Sequence, residues 1–207
     1  LPLSIRRQRQ MCIRDSYWTA VTNRQEPPRR AEDFLGMDVM NNYEKAVQDL
    51  AAGDAMTFLY IKDGGQTSWT TVPADPERSE PPTVYFPNLG LTSMNAPLEV
   101  RVLDEIGLSN PLAARQPRIE GGRIGHDKSL GAAWQIADSA VDIDSLLLGQ
   151  KDSAWQARTA LDDADFQRLF ASYREPLTWG RFLENIKFSL TEGRTLTFSS
   201  NPGDYLY

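Results

Sequence analysis

A β-hairpin signal in the first third of the chain limits the folds open to it. The apolar run MTFLYI, residues 56–61, precedes Asp63-Gly64-Gly65-Gln66 and then a threonine-rich run that contains Trp69. Two glycines between such runs are typical of a two-residue hairpin turn. With this turn residue 63 pairs with residue 66, so Tyr60 lies opposite Trp69 and one face of the hairpin is aromatic.

Three other stretches show the apolar spacing of amphipathic helices. The first stripe consists of Tyr43, Ala46, Val47 and Leu50. In the last quarter one face carries Phe166, Leu169, Phe170 and Tyr173, and another carries Trp179, Phe182, Leu183, Ile186 and Leu190. Asp162 or Asp163 caps the earlier of these two helices, and Thr178 caps the later one. Each stripe has to be buried, either against a sheet or against a partner.

Short β-prone runs surround these elements. Residues 17–21, YWTAV, predict a first strand, and residues 83–86 and 98–103 predict two more. The stretch 73–82 carries four prolines and predicts a surface loop. Together with the hairpin and the helices, these runs indicate an α+β fold.

The rarity of cysteine and histidine excludes several classes of protein. With Cys12 and His126 as single copies among 207 residues, the chain forms no internal disulfide, Cys/His zinc site or two-histidine metal motif. It contains no run of about 18 apolar residues and no secretory signal in its first thirty positions. We therefore expect a cytoplasmic protein without a membrane partner.

The first sixteen residues, LPLSIRRQRQMCIRDS, differ in character from the rest of the chain. They resemble the translation of a sequencing adapter joined to a metagenomic read, and the alternative is a native, basic, disordered arm. Removing their four arginines and one aspartate changes the net charge of the chain from −6 to −9. Such an acidic body argues against a broad phosphate-tracking surface, so any nucleic-acid contact has to be local.

No complete catalytic or metal-binding set stands out. His126 is a candidate general base, with Asp127 or Asp104 beside it and Lys128 following, but a lone histidine in a glycine-rich loop is more typical of a solvated one. The pairs Asp162/Asp163 and Asp142/Asp144 suit helix capping better than a metal site. We expect no cofactor, no metal and no catalysis within this chain, and a catalytic domain beyond Tyr207 remains open.

The aromatic residues allow two interpretations. Trp18, on the first predicted strand, and the hairpin pair Tyr60 and Trp69 either line a cage in which a planar base stacks or fill a β-sheet core. Base stacking contributes about 1–3 kcal/mol per base in single-strand binders. An aromatic cross-strand pair in a core contributes about 0.2–1 kcal/mol.

The order of elements resembles the EVE branch of the PUA-like superfamily. The residues that carry the resemblance are the YW start of the first strand, Leu50-Ala51-Ala52-Gly53-Asp54 before MTFLYI, and the later run PLEVRVLDEIG before Asn110-Pro111-Leu112. The resemblance implies a small β-barrel with flanking helices and a pocket for a modified base flipped out of DNA or RNA. It places Trp18, Asp54 and Tyr60 at that pocket, and the hairpin register adds Trp69.

The sequence therefore predicts three parts. Residues 1–16 form a disordered or artefactual leader, residues 17–149 form the PUA-like barrel, and residues 150–207 form a truncated helical extension. The predicted function is that of a non-enzymatic reader of a modified base, within a restriction or defence protein. The alternative is a structural or interaction protein, such as a phage or secretion component, whose partner contacts the helices around Phe166 and Trp179. An enzyme centred on His126 is the third hypothesis.

Overall fold

A computed structural model describes residues 15–52, 57–63, 66–86 and 89–205. In the first half, helix α1 covers residues 15–21, helix α2 Tyr43–Ala51 and helix α3 Leu89–Ser93, and the strands are β1 Thr57–Asp63, β2 Gln66–Val72, β3 Thr83–Tyr85 and β4 Arg101–Leu103. In the second half, the helices are α4 Pro111–Ala114, α5 Ala132–Ala137, α6 Leu148–Ala160, α7 Ala164–Arg174 and α8 Trp179–Leu190. Single 3₁₀ turns lie at Ala31–Phe34, Asp38–Met40, Ile143–Ser145, Glu192–Arg194 and Pro202–Tyr205.

The strands of the described residues form one open sheet in the order β2-β1-β3-β4. Strands β1 and β2 are antiparallel, whereas β1 with β3 and β3 with β4 pair in parallel. The predicted PUA-like β-barrel is therefore wrong. Strands β3 and β4 have three residues each, which is too short for the tilt and stagger that close a barrel.

The first predicted strand is also wrong, because residues 15–21 are helical. A run of five residues is too short to distinguish the 3.6-residue period of a helix from the two-residue period of a strand. Here local hydrogen bonds favour the helix. The Thr19 hydroxyl donates to the Asp15 carbonyl at 2.6 Å, and the Thr22 hydroxyl donates to the Trp18 carbonyl at 2.7 Å. Most of the leader predicted at residues 1–16 lies outside the described residues.

Several local predictions are confirmed. In the hairpin, residue 63 pairs with residue 66, and Tyr60 lies opposite Trp69. Helix α2 buries its predicted stripe of Tyr43, Ala46, Val47 and Leu50. Asp163 caps α7 by accepting from the backbone N–H of Asp165 at 2.9 Å, and Thr178 caps α8 by accepting from that of Arg181 at 3.1 Å.

Two large hydrophobic clusters hold the fold together. The cluster beneath α2 contains Tyr43, Trp69 and Phe86, and joins the helix to the sheet. The other contains Trp134 and Phe166 and joins α5, α6 and α7 to the C-terminal turn. Because the apolar sides of α5 to α7 face this second cluster, the opposite sides of the same helices are available to form a surface site.

Candidate functional site

The aromatic residues predicted to form a cage occupy different environments. Trp69 is buried, donates its indole N–H to the Val39 carbonyl at 2.9 Å, and packs against the rings of Tyr43 and Phe86 at centroid distances of 4.8 and 5.1 Å. It therefore fills a core and does not present its ring to a base. Trp18 lies on α1, half-buried, with its ring edge-on to Phe34 at 5.6 Å.

The two remaining cage residues lie partly or wholly outside the described residues. Tyr60 is described by its backbone alone, as the partner of Trp69 across the hairpin. Asp54 falls in the gap between residues 52 and 57. The hairpin register was predictable from its turn, but the pocket inferred from it is not assembled around Trp69.

The loop around His126 is held by structural contacts. His126 is exposed, Asp127 pairs with the Arg118 guanidinium at 3.2 Å, and the Lys128 ammonium donates to the Ala114 carbonyl. Asp104 is buried and accepts backbone N–H groups at Ile106, Leu108, Ser109 and Asn110. Burial raises the pKa of Asp104, but these hydrogen bonds outweigh burial and lower it. Both carboxylates are thus engaged elsewhere and do not assist His126.

One acid of each pair serves as a cap, as its position suggested. Asp163 caps α7, and Asp142 accepts from the backbone N–H of Asp144 at 2.9 Å at the start of a 3₁₀ turn. Within the described residues, no cluster of three or more His, Cys, Asp or Glu side chains is able to hold a metal ion. No helix in the same ranges combines the length and the apolar character required to cross a membrane.

An open cleft of about 550 Å³ lies between the proline-rich loop 73–82 and helices α5, α6 and α7. We call it the α6–α7 cleft. Its lining includes Arg78 and Glu80 from the loop, Asp138 after α5, Trp155, Arg158 and Asp162 from α6 and the turn after it, and Gln167, Phe170 and Arg174 from α7. Its volume falls within the range typical of small-molecule sites.

Helix α6 carries a stripe of alanines next to the residues that line the cleft. Ala154, Ala157 and Ala160 point into the protein and are buried, so that α6 packs closely against its neighbours. Trp155 and Arg158 are three residues apart and line the cleft, with Asp162 four residues beyond. The small residues let α6 pack closely against its neighbours, and the aromatic and charged residues beside them form the wall of a site.

Trp155 is the exposed aromatic of the cleft, with 43% of its surface accessible. The Arg158 guanidinium lies 5.7 Å from its ring centroid, in cation–π range. The Trp155 side chain also hydrogen-bonds the Asp144 carboxylate. The pKa of Asp144 is lowered first by its hydrogen bond to Lys151 and then by this bond to Trp155. These contacts fix the indole while leaving part of its surface open to a ligand.

Arg158 anchors the floor of the cleft. It donates to the backbone carbonyls of Ser139 and Val141 at 3.2 and 2.8 Å, and its side chain lies 3.5 Å from the Asp75 carboxylate. Burial lowers the pKa of the guanidinium, and the nearby Arg78 lowers it further. Within the described part of the chain, its Nε is buried without a hydrogen-bond partner. The bonds that Arg158 does make tie α6 to the proline-rich loop.

Asp138 organises the other side of the cleft. Its carboxylate is buried, accepts the Tyr85 hydroxyl at 2.8 Å, and is paired with the Arg174 guanidinium. The guanidinium also lies 3.7 Å from the Phe170 ring centroid. Burial lowers the pKa of Arg174, but the charge of Asp138 and its hydrogen bond to the guanidinium outweigh burial and raise that pKa. Arg174 is therefore fixed in position and permanently charged.

The charges in the cleft are largely neutralised within the protein. Arg78 is paired with Glu80, Arg158 with Asp75 and Arg174 with Asp138. Among the described residues, the Asp162 carboxylate at the rim has no ion-pair partner. A site of this kind offers fixed hydrogen-bonding groups beside an aromatic ring, without the excess positive charge that binds phosphate or nucleic acid.

Sequence patterns contain little signal for this cleft. Its residues come from positions 75–80, 138, 155–162 and 167–174, which the fold brings together from separate elements. The available signal was local: a stripe of alanines at positions 154, 157 and 160 beside Trp155 and Arg158. Because alanine contributes little hydrophobic contrast, the periodicity of α6 is weak.

Comparison with known proteins identifies close relatives. Residues 36–207 match the model of the AftB family C-terminal domain. The chain is 47% identical over 204 residues to a terminal β-(1→2)-arabinofuranosyltransferase of Corynebacterium glutamicum, and 35% identical over 176 residues to the protein of the same name from Mycobacterium tuberculosis. These matches cover 92% and 78% of the chain, but only 30% and 27% of the relatives, so the chain spans less than a third of their length. No solved structure matches the chain.

These findings overturn the functional predictions. The resemblance to the EVE branch, the reader of a modified base and the DNA or RNA partner are wrong, because the relatives are named as glycosyltransferases. The alternative of a non-enzymatic structural protein is wrong for the same reason. The predicted partner at the helices around Phe166 and Trp179 is wrong as well, because the relatives are named for sugar transfer, and Phe166 is fully buried within its own chain. The cytoplasmic, membrane-free localisation rested on the missing apolar run and secretory signal alone, and the match to the AftB family contradicts it.

Proposed function

The chain belongs to the AftB family, and we propose on that premise that it forms part of a β-(1→2)-arabinofuranosyltransferase. In such a reaction the 2-hydroxyl oxygen of an acceptor sugar forms a bond to the anomeric carbon of an arabinofuranosyl donor. The bond from that carbon to the leaving group breaks, and a base takes the hydroxyl proton. We propose that the domain binds the acceptor glycan in the α6–α7 cleft.

The exposed indole of Trp155 in the cleft is the observation that carries this proposal. A sugar ring has apolar C–H faces and a rim of hydroxyl groups, so its binding site combines an aromatic surface with convergent polar groups. The indole is 43% exposed at the wall of a cleft of about 550 Å³, and the neighbouring Arg158 holds it in place. An arabinofuranosyl ring stacks on the open part of this surface.

The polar residues around Trp155 suit hydroxyl groups. The Asp162 carboxylate accepts hydrogen bonds from hydroxyl groups, and so does the Gln167 amide oxygen, since the Gln167 Nε2 already donates to the Leu161 carbonyl at 2.7 Å. The Arg174 guanidinium donates to sugar oxygens from a position set by Asp138 and Phe170. Because Gln167 and Arg174 are held by contacts within the protein before the ligand arrives, little of their side-chain freedom is lost on binding.

The balance of charge supports a neutral ligand. Each arginine that lines the cleft is paired with a carboxylate, so an anion gains little from entering. The role proposed for the cleft is positioning: it holds the acceptor so that its terminal 2-hydroxyl reaches the donor. Holding two reactants in the correct geometry contributes much of the rate enhancement in bimolecular reactions.

Titration of the 207-residue chain with a linear arabinofuranosyl oligosaccharide tests the proposal, with binding measured by isothermal titration calorimetry. We expect Trp155→Ala to weaken binding at least about tenfold, which corresponds to about 1.4 kcal/mol. Trp179→Ala is the matched control, because Trp179 is also exposed but lies on α8 outside this cleft. Equal affinities for the parent chain and Trp155→Ala would contradict the proposal.

A further inference from the structure

A second pocket adjoins the α6–α7 cleft. It also encloses about 550 Å³ and is lined by Ser79, Glu80 and Pro81 of the proline-rich loop, Arg101 of β4, and Tyr173 and Arg174 of α7. Glu80 and Arg174 line both cavities. The two cavities are therefore neighbours that share a wall.

The shared wall is built from two anchored side chains. Glu80 is paired with Arg78, which holds the tip of the loop in place. Arg174 is paired with Asp138 and stacked on Phe170, but 32% of its side chain stays exposed. A guanidinium has five N–H donors in one plane, so Arg174 has donors left over for ligands after it bonds Asp138.

The second pocket repeats the chemistry of the first. Tyr173 is 42% exposed and supplies an aromatic ring and a hydroxyl group. Burial raises the pKa of Tyr173 to about 12, so the hydroxyl keeps its proton at neutral pH. Arg101 bonds the Thr83 hydroxyl at 3.0 Å and the Asp138 carbonyl, and lies 3.8 Å from the Asp138 carboxylate. Arg101 therefore shares the Asp138 carboxylate with Arg174.

We propose that the two cavities are consecutive subsites for one glycan chain, with one sugar unit against Trp155, the next against Tyr173, and Arg174 and Glu80 between them. This inference rests on the proposed function and deepens it, because it assigns an oligosaccharide as the ligand. A monosaccharide needs one exposed aromatic beside fixed polar groups. The domain presents two such sets, joined at two shared residues.

The dependence of affinity on chain length tests this inference. The probes are methyl arabinofuranoside and linear arabinofuranosyl oligosaccharides of two, three and five units, each titrated calorimetrically into the 207-residue chain. We expect affinity to rise at least about tenfold from one unit to three, because the second contact becomes intramolecular once the first has formed. The gain levels off when both subsites are filled.

Variants of Tyr173 test whether the gain in affinity with oligosaccharide length comes from the second pocket. Tyr173→Ala is expected to keep the affinity for methyl arabinofuranoside and to lose most of the gain with length. Tyr173→Phe retains the ring and keeps the larger part of that gain, so it remains informative if the alanine variant unfolds. Trp155→Ala weakens the binding of every probe.

The outcomes separate the two proposals. If methyl arabinofuranoside binds and longer probes bind no better, the second subsite is overturned while the proposed function stands. A normal length gain in Tyr173→Ala also overturns the second subsite. If no arabinofuranosyl probe of any length binds, the proposed function itself fails.

Discussion

Two tryptophans on adjoining helices have opposite environments. Trp134 on α5 is fully buried, donates its indole N–H to the Ser200 carbonyl at 3.0 Å, and packs against Phe166 at a centroid distance of 5.2 Å. Trp155 on α6 is 43% exposed, and its neighbour is the Arg158 guanidinium rather than another aromatic ring. The contrast distinguishes residues that maintain the fold from residues available to a ligand.

The same contrast extends to the two sides of the helical half. One side of α5 to α7 forms a hydrophobic cluster in which aromatic rings pack on one another, as Phe166 and Phe198 do at 3.8 Å. The other side carries arginines paired with carboxylates around the α6–α7 cleft. Asp138 lies between the two sides, since it bonds both the buried Tyr85 and the cleft residue Arg174.

A large loss of stability is expected from Trp134→Ala. Removing a fully buried indole leaves a cavity and a Ser200 carbonyl without its donor, which costs about 3–5 kcal/mol in the free energy of unfolding. Urea denaturation followed by circular dichroism measures this loss. The matched change Trp155→Ala is expected to cost less than about 1 kcal/mol. If both variants lose the same stability, the division between core and cleft is incorrect.

A smaller loss is expected from Asp138→Asn, which tests the link between the two sides. The amide retains the shape of the side chain but loses the charge that holds Arg174, at a cost of about 1–3 kcal/mol in unfolding free energy. Because Arg174 is then less well positioned, oligosaccharide affinity falls as well. The control is Asp165→Asn, whose partner Arg168 is half exposed and whose ion pair contributes little.

Calorimetric titration and urea denaturation are compared for the same Asp138→Asn preparation. We expect both affinity and stability to fall in Asp138→Asn and neither to change appreciably in Asp165→Asn. Unchanged affinity in a destabilised Asp138→Asn would show that Arg174 needs no support from Asp138 to bind sugar.

Sequence reasoning recovered local structure where the residues concerned are close together in the chain. The hairpin register followed from Gly64 and Gly65, and the faces and caps of α7 and α8 followed from apolar spacing and from Asp163 and Thr178. Turn chemistry and capping act over a few residues, so the sequence contains them directly.

The sheet and the cleft depend on distant contacts instead. Strand β3 joins β1 and β4 in parallel, which is decided by crossovers rather than by the three residues of each short strand. The cleft needs Asp75 beside Arg158 and Asp138 beside Arg174, pairs separated by 83 and 36 positions. No local pattern predicts such pairs. The aromatic face of the hairpin led instead to the prediction of a site at Trp69, which fills the core.

The smallest effect is expected from Leu183→Lys, which extends the comparison to α7 and α8. Both helices were predicted to bury an apolar stripe, yet Leu169 on α7 is 2% exposed and Leu183 on α8 is 62% exposed. A lysine at position 183 remains in water, so we expect the free energy of unfolding to change by less than about 0.5 kcal/mol.

The matched variant Leu169→Lys places an unpaired charge in the cluster around Trp134, and we expect several kcal/mol of destabilisation or complete unfolding. Urea denaturation of both variants measures the contrast. Comparable losses would mean that α8 packs more tightly in solution than its exposure indicates. The expected difference shows that amphipathic spacing predicts a helix and its apolar face, while burial depends on the elements that the rest of the fold brings against that face.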